Sequence, residues 1–213
     1  MGAVEETVTL MSARSPKLGQ ALRQAKRDGP HYLVLDGTLI CTEQIKADRP
    51  YFSGKHRVHG MNIQVIASPD GAILRTSGAL PGKAHDLTAA RIWGILRALE
   101  QAGIITLADK AYQGAEGSVL TPYKGRGKPE SQKQANCSHA KLRGSGERAN
   151  AQLKSWKILR KLRCSPSKAG DLCKAIAVLQ TIASLKPCEP EIGSRMVEAW
   201  SIQLPAEPPE PRV

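Results

Sequence analysis

No run of apolar residues in this 213-residue chain approaches the ~18 needed to span a bilayer. Nor does a hydrophobic stretch follow basic residues at the start, so neither a membrane protein nor a secreted one is expected. Aromatic residues are scarce at 4%, and the core must therefore be built from aliphatic side chains. Cysteine is present five times, an odd number, at Cys41, Cys137, Cys164, Cys173 and Cys188. No two form a C-x-x-C pair, which argues against a zinc ribbon or a disulfide framework and for a reducing cytoplasm. No internal repeat is visible.

Acidic residues are also scarce in one region. Residues 119–187 hold fifteen basic side chains against three acidic ones and so account for the net charge of +12. Residues 1–30 carry +2, residues 31–118 carry +1, and the Pro-rich end, 188–213, carries −3. Cations concentrated beside a near-neutral region suggest a polyanionic partner, nucleic acid above all.

The patterning divides the chain into an N-terminal extension (1–30), an α/β domain (31–187) and an acidic, disordered tail (188–213). The extension holds one short helix around Leu18–Arg27, ended by Asp28-Gly29-Pro30. Tyr32 to Leu35 reads as a strand closed by Asp36, the apolar run Leu39 to Cys41 follows, and Met61, Ile63, Val65 and Ala67 alternate as a half-buried strand does. Pro69-Asp70-Gly71 predicts a hairpin turn into a return strand at Ala72 to Leu74. Leu87 to Leu99 has helical spacing, with Asp86 as N-cap and Gly103 as stop. A short strand from Ile104 ends at Asp109, residues 125–138 read as a loop, and helices follow over about 147–162 and 172–185. This order predicts a mixed sheet flanked by helices, as in ribonuclease-H-like folds.

Three carboxylates fall at element ends: Asp36, Asp109 and Glu147. Gathered at one rim of a sheet, they would repel unless a cation neutralised them. Hard oxygen ligands suit Mg²⁺, and two such ions can activate a water and stabilise the leaving oxygen of a phosphodiester. Each residue also has an ordinary reading. Asp36-Gly37 is a hairpin-turn signal, Asp86 a cap, His85 a surface histidine, Asp109-Lys110 a surface ion pair, and Glu147 a helix-start residue.

Four blocks, in order, lift the joint pattern above these. They are LVLDGTLI, KHRVHGMNIQVIASPDGAILRTSGALPGKAHDLTAAR, LADKAYQGA and HAKLRGSGERANAQLKSWKILRKLRCS. From Tyr32 to about Gln180 the chain resembles DDE-type transposases of bacterial insertion sequences, in the insertion-sequence-five branch related to the PIF/Harbinger group. The resemblance implies a ribonuclease-H-like fold and metal-dependent cleavage and strand transfer at insertion-sequence ends. It implies Asp36, Asp109 and Glu147 as catalytic ligands of Mg²⁺ or Mn²⁺, two ions in all, with His85-Asp86 as an auxiliary pair. Asp109 to Tyr112 matches the D-x-x-Y pattern. Arg143, Glu147 and Lys154 match R-x3-E-x6-K, although Ala140 stands where a tyrosine is usual.

Arg143, Arg148, Lys154, Lys157, Arg160 and Lys161 are the expected DNA contacts, to transposon ends and target alike. Gly144 and Gly146 are expected to interrupt the helix before Glu147, and Trp156 to belong to the core with Leu153 and Leu159. Relatives carry a helical DNA-binding domain ahead of the first aspartate, where this chain has 35 residues. A DNA-binding polypeptide acting in trans, self-association into a homo-oligomer and a nucleoid-associated location belong to this expectation. The alternatives are an inactive transposase remnant that only binds DNA, or an unrelated basic RNA-binding protein.

Overall fold

The apolar run at Leu33 does not stop at Asp36-Gly37. In the computed structural model, which describes residues 2–43 and 50–184, strand β1 (Leu33–Cys41) passes straight through the pair. The expected turn there is replaced by continuous antiparallel pairing to β3 (Val58–Ala67), from Val34↔Ala67 to Cys41↔Gly60. Thr38, Leu39 and Ile40 are buried beyond the pair as Leu33, Val34 and Leu35 are before it, so the strand is covered on both faces along its length.

Around this pair the sheet is mixed. The short strand β2 (Phe52–Ser53) pairs with the start of β3, and β4 (Ile73–Thr76) and β5 (Leu80–Pro81) pair with its other parts. On the opposite side, β6 (Thr106–Ala108) runs parallel to β1, and β7 (Val119–Leu120) parallel to β6. The hairpin turn at Pro69-Asp70-Gly71 is present. Gly71 takes a φ of +93°, and Ser68 N donates to Ala72 O at 3.0 Å.

Helices cover both faces. On one lie α2 (Leu18–Asp28), α3 (Asp86–Ile92) and α4 (Ile95–Ala102), with Leu22, Leu33, Leu35, Ile66, Ala90 and Leu99 buried together. The continuous helix expected over 87–99 is split because Gly94 adopts φ +65° after Trp93, and Gly103 ends α4 as expected. The other face carries α5 (Glu130–Ser155) and α7 (Ala169–Ser184), whose Leu153, Leu172 and Ile176 meet Ile40, Ile63 and Val65. Helix α1 (Ala3–Ala13), with no buried residue, precedes α2 and carried no periodic signal.

Two expectations about α5 are corrected. Residues 130–138 are helical rather than loop, because Pro129 leads into a helix that is polar almost all round and offers no apolar stripe to read. The same helix stops at Ser155, and Trp156 (39% exposed) stands at the break before α6 (Lys157–Arg160), while Leu153 and Leu159 are buried. Beyond α6, Leu162 adds a single parallel bridge to the end of β1. Its N donates to Cys41 O at 2.7 Å, and Glu43 N donates to its O at 3.0 Å.

The described core lies within the compact unit Met1–Ile182. Among the described residues, no helix is long and apolar enough to cross a membrane. The acidic segment 188–213 lies outside the described residues.

Candidate active site

Parallel pairing of β1 with β6 sets the first relationship. The register Leu33↔Thr106, Val34↔Leu107, Leu35↔Ala108 leaves Asp36 and Asp109 each one residue beyond the last pair, on neighbouring strands. Asp109 then caps a single 3₁₀ turn, Lys110–Tyr112, accepting from Ala111 N at 2.8 Å.

Helix α5 closes over Asp36 through a glycine. A Cβ on Gly146 would stand 2.5 Å from Val34 Cγ1, so only glycine lets the helix come this near β1. The helix therefore runs unbroken through Gly144 and Gly146, against the expected interruption. This approach brings Asn150 Nδ2 to 2.8 Å from Asp36 Oδ2, where it donates, and Arg143 Nη2 to 3.9 Å from Oδ1. The Asp36 carboxyl is largely buried beside Asp109 and Asp86 as well as Arg143. Burial above all, then the two carboxylates, push its pKa up to about 6 against the pull of Arg143. Two further groups here hold polar atoms with no partner among the described residues: Asn150 Oδ1 and Arg143 Nε are buried without a hydrogen bond.

Glu147 shares the helix with Arg143 and Asn150 but is exposed, and it is not among the charges acting on Asp36. Among the described residues no three His, Cys, Asp or Glu side chains stand close enough together to hold one ion. The carboxylate that does join Asp36 and Asp109 electrostatically is Asp86.

Asp86 comes from the other face of the sheet. It is the first residue of α3, and the cap position is taken by His85, which is exposed. The Asp86 side chain turns inward instead of capping, and a Cβ on Gly37 would lie 2.2 Å from its Oδ1. Asn62 Nδ2 donates to that oxygen at 2.8 Å, and Lys55 Nζ lies 3.8 Å from Oδ2. A buried chain of donors continues behind it. Gln64 Nε2 donates to Asn62 Oδ1 at 2.8 Å, and Tyr112 Oη donates to Gln64 Oε1 at 2.5 Å. Tyr112 is fully buried, and burial with the nearby carboxylates raises its pKa. Tyr112→Phe should therefore cost about 1–3 kcal/mol, by leaving the Gln64 oxygen without its donor. A melting curve checks this, and an unchanged midpoint would show that the chain of bonds contributes nothing.

Residues 35–181 match the family model described as DDE superfamily endonuclease. This chain belongs to that family. It is also 30% identical, over 156 residues, to a candidate transposase for insertion sequence element IS112 from Streptomyces albus G. The match covers 71% of this chain and 58% of that relative, so the chain spans little more than half of the relative's length. No solved structure gives a significant match.

The mixed sheet with helices on both faces agrees with a ribonuclease-H-like fold, as expected for a DDE endonuclease. Beside Asp86, a cleft of about 580 Å³ is lined by Gly37, Lys55, His56, Lys83 and His85 as well. Of the cations expected on DNA, Arg143 is turned toward Asp36, whereas Arg148, Lys154, Lys157, Arg160 and Lys161 are exposed. Lys161 is already engaged, with Nζ 2.6 Å from Glu43 Oε1, and Arg163 Nε bonds the other oxygen of Glu43 at 2.8 Å. Hydrogen bonds from these two cations hold the exposed Glu43 below the usual carboxylate range.

Asn150, Asn62 and Gln64 were not singled out by sequence. Asn150 had a usable signal, since it lies seven residues after Arg143 and so on the same helical face. Asn62 and Gln64 sit on the polar phase of a strand and looked like solvent-facing positions until α3 covered them.

Proposed function

We propose that this DDE endonuclease domain cleaves phosphodiester bonds in DNA at the ends of an insertion sequence and joins the freed 3′ ends to target DNA. The observation that carries the reading is the placement of Asp36 beside Asp109 at the end of the β1–β6 pairing, with Asp36 buried among carboxylates. Such a group is costly unless a cation is near, and Arg143 at 3.9 Å offsets only part of the charge. DDE endonucleases are in general divalent-metal dependent, and an all-oxygen donor set with a spare Asn150 oxygen suits Mg²⁺ or Mn²⁺.

Asp36 and Asp109 would hold the metal, with Glu147 completing the set from α5; two ions are the number this chemistry uses in in-line displacement. A divalent ion held there would activate a water and offset the negative charge that develops on the attacking and leaving oxygens. The chain's own residues do the rest. Arg143 and Asn150 orient Asp36, the Asn62–Gln64–Tyr112 chain orients Asp86, and His85 lines the cleft beside it. Lys157, Arg160 and the other cations of 119–187 position the phosphate backbone. End recognition by a polypeptide in trans and self-association belong to the same reading.

Nicking of a supercoiled plasmid by the full chain, with and without Mg²⁺ or Mn²⁺, tests it. Metal-dependent nicking lost in Asp36→Asn, Asp109→Asn and Glu147→Gln is the expected result. Cleavage that survives all three substitutions would sink the assignment, and loss with the first two alone would assign the third ligand elsewhere.

A further inference from the structure

A groove of about 770 Å³ lies between α2, β4 and α7, on the edge of the sheet, with β3 separating β4 from the strand that carries Asp36. Four arginines from three parts of the chain converge on it. Arg14 follows α1, Arg23 and Arg27 lie one turn apart on α2, and Arg75 comes from β4. Asp28 is the one carboxylate lining it, and that group is bonded by Gln24 Nε2 at 2.6 Å. Among the described residues, none of the four arginines has a carboxylate within ion-pair distance.

Arg75 is the most telling of the four. It is half-buried, its Nη1 donates to Ser15 Oγ at 2.9 Å, and burial draws its guanidinium below the usual arginine range. A desolvated cation without a counter-charge is unfavourable, and a bound anion would offset that cost. The floor is aliphatic, from Ile73, Leu74, Ala177 and Val178, and no aromatic side chain lines it. Base stacking is therefore not what the groove offers. Guanidinium groups ranged above an aliphatic floor match a sugar–phosphate backbone, with forked donors for phosphate oxygens and apolar contact for the sugars.

We propose that this groove is a second DNA-backbone track, separate from the cations of 119–187. The inference rests on the DNA reading above. The groove is invisible along the chain, because the four arginines are spread from position 14 to 75 in regions of nearly balanced charge.

The test is the salt dependence of binding of a fluorescent duplex of about 30 base pairs to the full chain, from about 50 to 200 mM KCl without divalent metal. The variant Arg14→Gln/Arg23→Gln/Arg27→Gln changes three exposed side chains, and Arg75→Met is measured separately, with melting curves for both. The slope of log K against log salt should fall by about 2–3 in the triple variant, since each lost phosphate contact removes about 0.9. Its loss of affinity should add to that of Lys157→Gln/Arg160→Gln, as expected of separate sites. An unchanged slope would overturn the proposal. So would a polyglutamate peptide that binds through these arginines while DNA binding is untouched, which would make the groove an acidic-protein surface. Wild type that nicks DNA while the triple variant keeps its slope sinks the groove alone. A reduced slope in a protein that never nicks supports the groove and sinks the cleavage reading, and wild type that binds no DNA sinks both.

Discussion

Asp36→Asn is expected to do two opposite things: reduce metal-dependent nicking by a thousand-fold or more, and make the metal-free protein more stable at neutral pH. The loss corresponds to about 4 kcal/mol of transition-state stabilisation, the scale of removing one central charged group from a site. The gain follows from the raised pKa. Folded Asp36 titrates at about 6 and an unfolded aspartate near 3.8, so between these values the folded chain holds a proton that the unfolded chain has lost. Stability contributed by the neutral form is present below pH 4 and is lost as pH rises to about 6. At pH 7 the charge costs at most about 3 kcal/mol, from two pKa units at 1.36 kcal/mol each. Asparagine removes that cost and can still accept from Asn150 Nδ2. Urea unfolding in a chelator should show the variant ahead at pH 7 and level with wild type at pH 4. Equal differences at both values would mean that Asp36 is not strained in the fold. Added Mg²⁺ should raise the melting point of wild type by mass action and leave the variant unmoved.

The second large effect concerns two glycines in one turn of helix. Gly144→Ala adds a methyl where nothing lies within 4 Å, and should gain about 1 kcal/mol from helix propensity. Gly146→Ala adds the same methyl 2.5 Å from Val34 Cγ1, about 1 Å inside normal contact. Overpacking of this kind costs about 1–3 kcal/mol, more than the propensity gain returns. The helix must then back away from β1, taking Arg143 and Asn150 off Asp36. A misplacement of about 1 Å can cost on the order of a hundred-fold in rate, so nicking should fall with stability. Val34→Ala in the same chain should restore both, and a double-mutant cycle measures the coupling. If Gly146→Ala were as stable and active as Gly144→Ala, the close packing of α5 on β1 would be refuted.

The elements that the sequence disclosed are those whose period was visible on one face. Met61 to Ala67 alternated because one face of β3 packs into the aliphatic core under α5 and α7 while the other buries the polar Asn62 and Gln64, and the turn after it was marked by a glycine at positive φ. Strand β1 was legible only in part. Asp36-Gly37 has the chemistry of a turn, and what makes it a strand is the unbroken partner β3, which lies some 30 positions away in sequence. Residues 130–138 were misread for the reverse reason, since a helix that buries nothing there has no stripe to reveal it. In the candidate site, Asp36 and Asp109 were recoverable as residues that each end a short apolar run. Glu147 was recoverable as a motif position, but its exposed placement depends on how α5 rotates over β1. Gly146 sets that rotation. Read along the chain it was a helix breaker, and against Val34 it is the contact point.

The bridge between Leu162 and the end of β1 has a mechanical consequence. Backbone bonds from Leu162 to Cys41 and Glu43, with Lys161 and Arg163 gripping the Glu43 side chain, weld the cationic segment after α5 to the strand that carries Asp36. From Asp36 to Glu43 an extended chain measures about 23 Å at 3.3 Å per residue. That is the length of about seven nucleotides of one strand at 3.4 Å each. The offset between the carboxylates and this anchored end is thus set by a hydrogen-bonded strand rather than by a loop.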